Sequence, residues 1–293
     1  MDATTEQLRT LAAVIDHGTF DRAAAALHVT SSAVSQRIKA LEQQTGRVLL
    51  LRTKPVRPTK SGSVVVRLAR QVALLESEAM DELGLEGAGA RPRIPLVINA
   101  DSLATWVLPA LARVERASFE ITIDDQDHSI DRLREGTSMA AITSNPEPVQ
   151  GCTARPLGVM RYRPVASVPF AEQWLPEGFT DEALSSAPVV VFDRKDALQD
   201  RYLERRLGSG AKFPPRHFVP ASSDFVHAIE LGLGWGMLPD LQAMPLLDAG
   251  TLTVLDANGY LDVPLYWQQW SIESTTLTRI ATSLAKEAAA QLR

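Results

Sequence analysis

Apolar residues recur at helical spacing from the start of this chain. Leu8, Leu11, Ala12 and Ile15 fall on one face of residues 5–17, and Gly18 stops the run. Residues 21–27 form a short alanine-rich helix, whose small side chains at Ala23, Ala24 and Ala26 permit close approach of a neighbour. After His28, Val29 and Thr30, Ser31 and Ser32 offer N-cap oxygens to a third helix that carries Val34, Ile38 and Leu41 and ends at Gly46. Three short helices with tight turns predict a helix-turn-helix core.

The stretch VLLLRTKPVRPTKSG that follows is apolar and then basic, and Pro55 and Pro58 bar a helix. Val48–Leu51 and Val56–Thr59 are placed to pair as a two-strand wing. From Ser61 to about Leu83 a long helix is predicted, with Val65, Leu68, Val72, Leu75 and Ala79 at alternating spacings of three and four, the seam of a short coiled coil. LGLEGAGARPR has no periodicity and reads as a hinge.

Beyond residue 93 strands and helices alternate. IPLVINA, FEITIDD and MAAIT read as strands, separated by helices in LATWVLPALARVE and SIDRLREG. A second set follows: strand PVVVFD, helices DALQDRYLERRL and SDFVHAIELG, strands GMLP, LTVLD and VPLYWQQW, and a final helix over Ser274–Leu292. This grammar predicts a mostly parallel sheet and two α/β lobes joined by more than one crossing, with a cleft between them. The boundaries are then a winged helix-turn-helix over 1–60, a linker and dimerisation helix over 61–84, a hinge over 85–93, and an α/β domain over 94–293. Its first lobe covers about 94–163 plus 267–293 and its second about 164–266.

Charge changes the picture more than composition does. The net charge of −5 divides into +4 for residues 1–62, −1 for 63–93 and −8 for 94–293, counted from the sequence. A basic head on an acidic body fits one part meeting phosphates while another does something else. Ser31, Ser32, Ser35, Gln36, Arg37 and Lys39 give the third helix a polar, cationic face beside its apolar one, the division expected of a helix in a DNA groove. A lone cysteine, Cys152, leaves no internal disulfide and fits a reducing compartment. The N-terminal stretch does not read as a secretory signal and no run approaches a membrane span, so a cytoplasmic location is expected.

FDRAAAALHVTSSAVSQRIKALEQQTGRVLLLRTKPVRPTKSG resembles the DNA-binding head of the LysR-type transcriptional regulators along its full length. INADSLATW, AITSNP, GLGWGMLP and LYWQQW look like the ArgP/LysG branch of that family, whose members sense basic amino acids and control lysine or arginine export genes. The resemblance implies an α/β effector-binding domain like the periplasmic binding proteins, with the effector between its lobes. It implies binding to double-stranded DNA and RNA polymerase, and assembly through the linker helix into dimers and then a tetramer. Ser31, Ser32, Ser35 and Gln36 become the groove-facing set, in which Gln36 suits a bidentate bond to adenine. Arg37, Lys39, Arg52, Arg57 and Thr59 become phosphate contacts.

An amino acid effector, lysine or arginine, needs its carboxylate held and its cationic groups paired. Asp101, Ser102 and Thr105 lie where the first strand of the body gives way to a helix, where N–H groups and a hydroxyl can hold an anion, although Asp101 or Ser102 would serve equally as a helix cap. Thr143 and Ser144 follow another strand. Asp124 and Asp125, with Asp127 beside them, are placed to attract a cationic side chain. Ser222, Ser223 and Asp224 precede a helix in the second lobe. Trp106, Trp235, Trp267 and Trp270 suit the core better than a ligand box, and GLGWG reads as a turn. No cofactor, metal or catalytic residue is expected: the five histidines lack zinc-ligand spacing, no GxSxG elbow occurs, and Cys152 has no evident base. A solute-binding module without gene control, a regulator of another effector, and an architectural DNA protein are the competing readings.

Overall fold

The computed structural model describes residues 3–84, 92–124, 129–208 and 214–293. Helix α1 (Thr5–His17) opens with a capping box in which Thr4 and Gln7 exchange side-chain to backbone bonds, and it ends at Gly18, whose φ is 69°. Helices α2 (Phe20–Ala26) and α3 (Ser31–Thr45) are capped by Thr19 and Thr30. Thr30, not Ser31 or Ser32, is therefore the N-cap of α3, and the two serines lie in its first turn. Leu11, Val14, Ala23, Val34, Ile38 and Leu41 pack into one core, as their spacing requires.

The wing is shorter than expected. β1 (Leu50–Leu51) and β2 (Arg57–Pro58) pair antiparallel over two residues each, because Pro58 has no N–H to extend the ladder. Thr59 caps α4 (Lys60–Glu82), which follows at once. Gly62 lies so near β1 that an added Cβ would meet the Leu49 carbonyl oxygen at 1.9 Å.

Helix α4 divides its surface among the head, the body and an exposed stripe. Val65, Val66 and Ala69 are buried with the head, and Leu74 with the body. Val64, Leu68, Leu75 and Ala79 stay exposed. Val65 thus leaves the expected seam for the head core, against which the half-buried Val72 also packs, because α4 starts within that core, and Val64 takes a place on the open stripe. The hinge residues 85–91 lie outside the described residues.

The first lobe runs β3 (Arg93–Ile98), α5 (Ala100–Ser102), a π-helical turn (Leu103–Val107), α6 (Leu108–Ala112), β4 (Ser118–Ile123), α7 (Ser129–Arg134) and β5 (Ala140–Thr143). The π turn ends two residues before Pro109, which has no N–H for the Thr105 carbonyl. A strand of sixteen residues, β6 (Cys152–Ser167), then crosses to the second lobe. That lobe holds α8 (Val168–Trp174), α9 (Asp181–Ser186), β7 (Val189–Val191), α10 (Leu198–Leu207), β8 (Arg216–Phe218), α11 (Ser222–Glu230), β9 (Gly236–Pro239), α12 (Asp240–Asp248) and β10 (Leu252–Val254). The chain returns along β11 (Leu261–Trp270) to α13 (Thr275–Gln291).

The main sheet has the order β10-β6-β11-β5-β3-β4, with β9 also on β6. It is mixed, not mostly parallel. Only β3 pairs parallel, with β4 and β5, whereas β11 and β6 run antiparallel to each other and to their other neighbours. The two crossings are themselves strands, and two adjacent strands that run in opposite directions between lobes must pair antiparallel. The four tryptophans read as core are indeed buried at 0–1% exposure.

Candidate functional site

In the head, Ser32, Ser35, Gln36 and Lys39 are exposed at positions i, i+3, i+4 and i+7, which is one face of α3. Arg52 and Arg57 are exposed on the wing, and the Arg52 guanidinium lies 5.7 Å from the centre of the Phe20 ring. Four expected DNA contacts are engaged within the protein, among them Ser32, whose hydroxyl shares a 2.9 Å hydrogen bond with that of Thr30. The Ser31 hydroxyl donates to Asp21 at 2.6 Å, fastening α3 to α2. Arg37 pairs with Glu6 of α1. The Thr59 hydroxyl donates to the Val48 carbonyl at 2.7 Å and accepts from the Gly62 N–H at 3.0 Å, so both its roles are taken by the cap and the wing.

In the body, a cavity of about 330 Å³ opens between the lobes. From the first lobe it is lined by Asn99, Asp101, Asp124 and Ser144, with Tyr162 on the crossing strand. The second lobe adds Asp193, Lys195, Asp196, Gln199, Arg201 and Phe225. Four carboxylates thus face two cationic side chains.

Asp101 joins the walls. Its two oxygens accept hydrogen bonds from the Tyr162 and Ser222 hydroxyls, each at 2.9 Å, and Gln242 donates to Ser222 at 3.0 Å. Ser222 therefore does not cap α11, and Asp101 does not cap α5. Burial pushes the Asp101 carboxyl above its ordinary range, an effect the two hydroxyl donors oppose. Burial, with the Asp101 charge adding to it, likewise pushes the Tyr162 phenol well up.

The loop from Asp193 to Asp196 is built by its own acids. Asp193 accepts from the N–H groups of Lys195 and Asp196, and Asp196 from those of Phe192 and Leu198. Sequence reasoning passed over this loop. The rule that selected Asp101, an acid where a strand gives way to a helix, applies equally to FDRKDA.

Ser102, Thr105, Thr143 and Asp224, also expected at the effector site, do not line the cavity. Ser102 is fully buried. Thr105 donates to the Asp101 carbonyl, as its position in the π turn dictates, and does not line the cavity. Thr143 is fully buried, accepting from the Asn145 N–H. Asp224 is exposed on α11, outside the cleft. Asp124 lines the cavity and is ion-paired with Arg132 at 2.9 Å, while Asp125 and Asp127 lie outside the described residues. Cys152 is buried, and no cluster of three metal-ligating side chains occurs among the described residues.

Head and body meet along α4. Arg70 donates to the Gly136 carbonyl at 2.8 Å and pairs with Asp16 of α1. Arg67 donates to the Gln150 carbonyl at 3.0 Å and the Leu133 carbonyl at 3.2 Å. Glu78 accepts from the Ser274 hydroxyl and the Thr276 N–H, capping α13 from outside. Burial works to raise the Glu78 carboxyl, yet these donors together hold it below its usual value.

A basic-faced helix-turn-helix joined to a two-lobed cleft defines a DNA-binding regulator with a small-molecule sensor, and the comparisons agree. Residues 5–63 match the bacterial regulatory helix-turn-helix protein, lysR family, and residues 87–279 the LysR substrate binding domain. The chain belongs to the LysR family of transcriptional regulators, and its role is gene regulation, not catalysis. It is 48% identical to the HTH-type transcriptional regulator LysG of Mycobacterium tuberculosis, covering 98% of this chain and 94% of that one. It is 40% identical to the lysine export transcriptional regulatory protein LysG of Corynebacterium glutamicum, covering 98% of each. Among solved structures, ArgP from Mycobacterium tuberculosis superimposes with a TM-score of 0.86 at 46% identity over 98% of both chains. Full-length LysG from Corynebacterium glutamicum with bound effector Arg does so with 0.78 at 37% identity over 99% of both.

Proposed function

We propose that this chain senses a basic amino acid, lysine or arginine, in the cleft between its lobes and controls a gene for an amino acid exporter or a related protein in the cytoplasm. The excess of carboxylates in the cleft, Asp101, Asp124, Asp193 and Asp196 against Lys195 and Arg201, carries this reading. Lysine and arginine each have two cationic groups and one carboxylate, so their charge complements such a lining. A relative with arginine bound as effector supports the same class.

An effector ammonium or guanidinium taking Asp101 competes with the Ser222 hydroxyl for one carboxylate, and so changes the tie between the lobes. The exposed stripe of Val64, Leu68, Leu75 and Ala79 suits pairing of two linker helices into a dimer. Through that pairing and a tetramer of the bodies, closure of the cleft alters the spacing of the heads on DNA and their contact with RNA polymerase.

Footprinting on the DNA upstream of the regulated gene tests the reading. The pattern shifts with lysine or arginine and not with citrulline, which has the outline of arginine without its side-chain charge. A pattern that no basic amino acid changes would overturn it. On the DNA side, Gln36→Ala lowers discrimination at one base position by about 1–3 kcal/mol. Arg52→Ala weakens specific and random DNA alike and makes binding less salt-dependent. A uniform loss in both variants would show that Gln36 does not read a base.

A further inference from the structure

Two side chains in the cleft are buried without a hydrogen-bond partner for their oxygens. Asn99, at the end of β3, is 5% exposed, and Gln199, in the first turn of α10, is 2% exposed. Both line the cavity, one from each lobe, and neither amide oxygen has a partner. Asn99 stands at the N-cap position of α5, where asparagine normally bonds the helix N–H groups, yet its side chain makes no such bond. An unsatisfied buried acceptor is destabilising, so two lining one cavity from different lobes call for a function.

We infer that Asn99 and Gln199 determine effector specificity, their amide oxygens accepting hydrogen bonds from N–H groups of the bound effector, one from each wall. This rests on the reading of the cleft as the effector site and deepens it. Charge and donor number become separate criteria. The carboxylates select a cation, whereas the two amides select a ligand carrying N–H groups that reach both lobes. A flexible chain of the same length without terminal N–H groups leaves both oxygens unpaired and is rejected for that reason.

The test is calorimetric titration of the full-length protein with arginine, citrulline and norleucine. Citrulline keeps terminal N–H donors without the charge, and norleucine has neither. Wild type binds arginine most tightly and citrulline more tightly than norleucine. In the near-isosteric variants Asn99→Leu and Gln199→Met, citrulline loses that advantage and arginine weakens by roughly tenfold. The thermal midpoint without effector stays level or rises, because an unpaired acceptor has been removed. A fall in that midpoint with arginine affinity intact would overturn the inference and make the amides structural. Gln199→Glu retains the acceptor without the amide donors, so citrulline keeps its advantage there, and loss of it would equally count against an accepting role. No binding of any basic amino acid to wild type would instead defeat the reading of the cleft itself.

Discussion

Asp101→Asn will abolish most of the effector response while leaving the effector-free protein as stable as wild type or more so at pH 7. Asp101 is tied to both the crossing strand and the second lobe. Removing its charge takes away a charge-assisted partner for the effector, a loss of about 1.5–3 kcal/mol, on the order of 10- to 100-fold in Kd. The stability effect has the opposite sign because burial raises the native carboxyl pKa. The native state then favours the protonated form, so the wild type is most stabilised below the unfolded value near 3.8 and loses that contribution as pH rises through the native value. Asparagine has no charge to bury. Its advantage at pH 7 therefore shrinks as the pH falls toward 4, and thermal melts at both pH values measure it. A lower midpoint at pH 7 together with undiminished arginine binding would remove Asp101 from the site.

The second large effect lies 66 residues along the chain from one of its partners. Arg70→Ala breaks the link between Asp16 of the head and the Gly136 carbonyl of the body, made by a guanidinium that is only 10% exposed. The Asp16 side chain is 24% exposed, so solvent recovers part of the loss, and destabilisation of about 2–3 kcal/mol is expected. Gly136 shows how close the contact is. Its φ is 70°, and an added Cβ would lie 2.9 Å from the Ser63 carbonyl oxygen of α4. The more informative measurement is the ratio of DNA affinities with and without arginine, which falls toward one when head and body are uncoupled. A lost midpoint with an unchanged ratio would limit Arg70 to a structural role.

Local features were legible because local rules govern them. Gly18 and Gly46 end α1 and α3 where a left-handed residue is needed, and the apolar spacing of Leu11, Val34, Ile38 and Leu41 builds the core of the head. The strand β6 escaped notice because RPLGVMRYRP mixes arginine and proline with its apolar residues, and periodicity does not reveal a strand that changes lobes midway. Val65 was assigned to the wrong surface for a related reason. A helix that packs on both head and body and leaves a third stripe exposed shows the periodicities of these faces superimposed.

The site divides along the same line. Asp101, Asp124 and Ser144, which line the cavity, and Ser222, which bonds Asp101, stand out in the sequence by their positions at the ends of strands and the starts of helices. Asn99, Gln199 and the loop from Asp193 to Asp196 were not, since an amide in a sequence carries no mark of whether its oxygen will find a donor. The amino-acid sequence by itself determined that a basic helix-turn-helix head, a long linker helix and an α/β body follow one another, because capping, spacing and charge act over a few residues. Only the tertiary structure decided which serine holds a helix and which can face DNA, which acids share the cleft, and where an acceptor is left without a partner. Those outcomes depend on groups up to 121 residues apart, as for Ser222 and Asp101, brought together by packing.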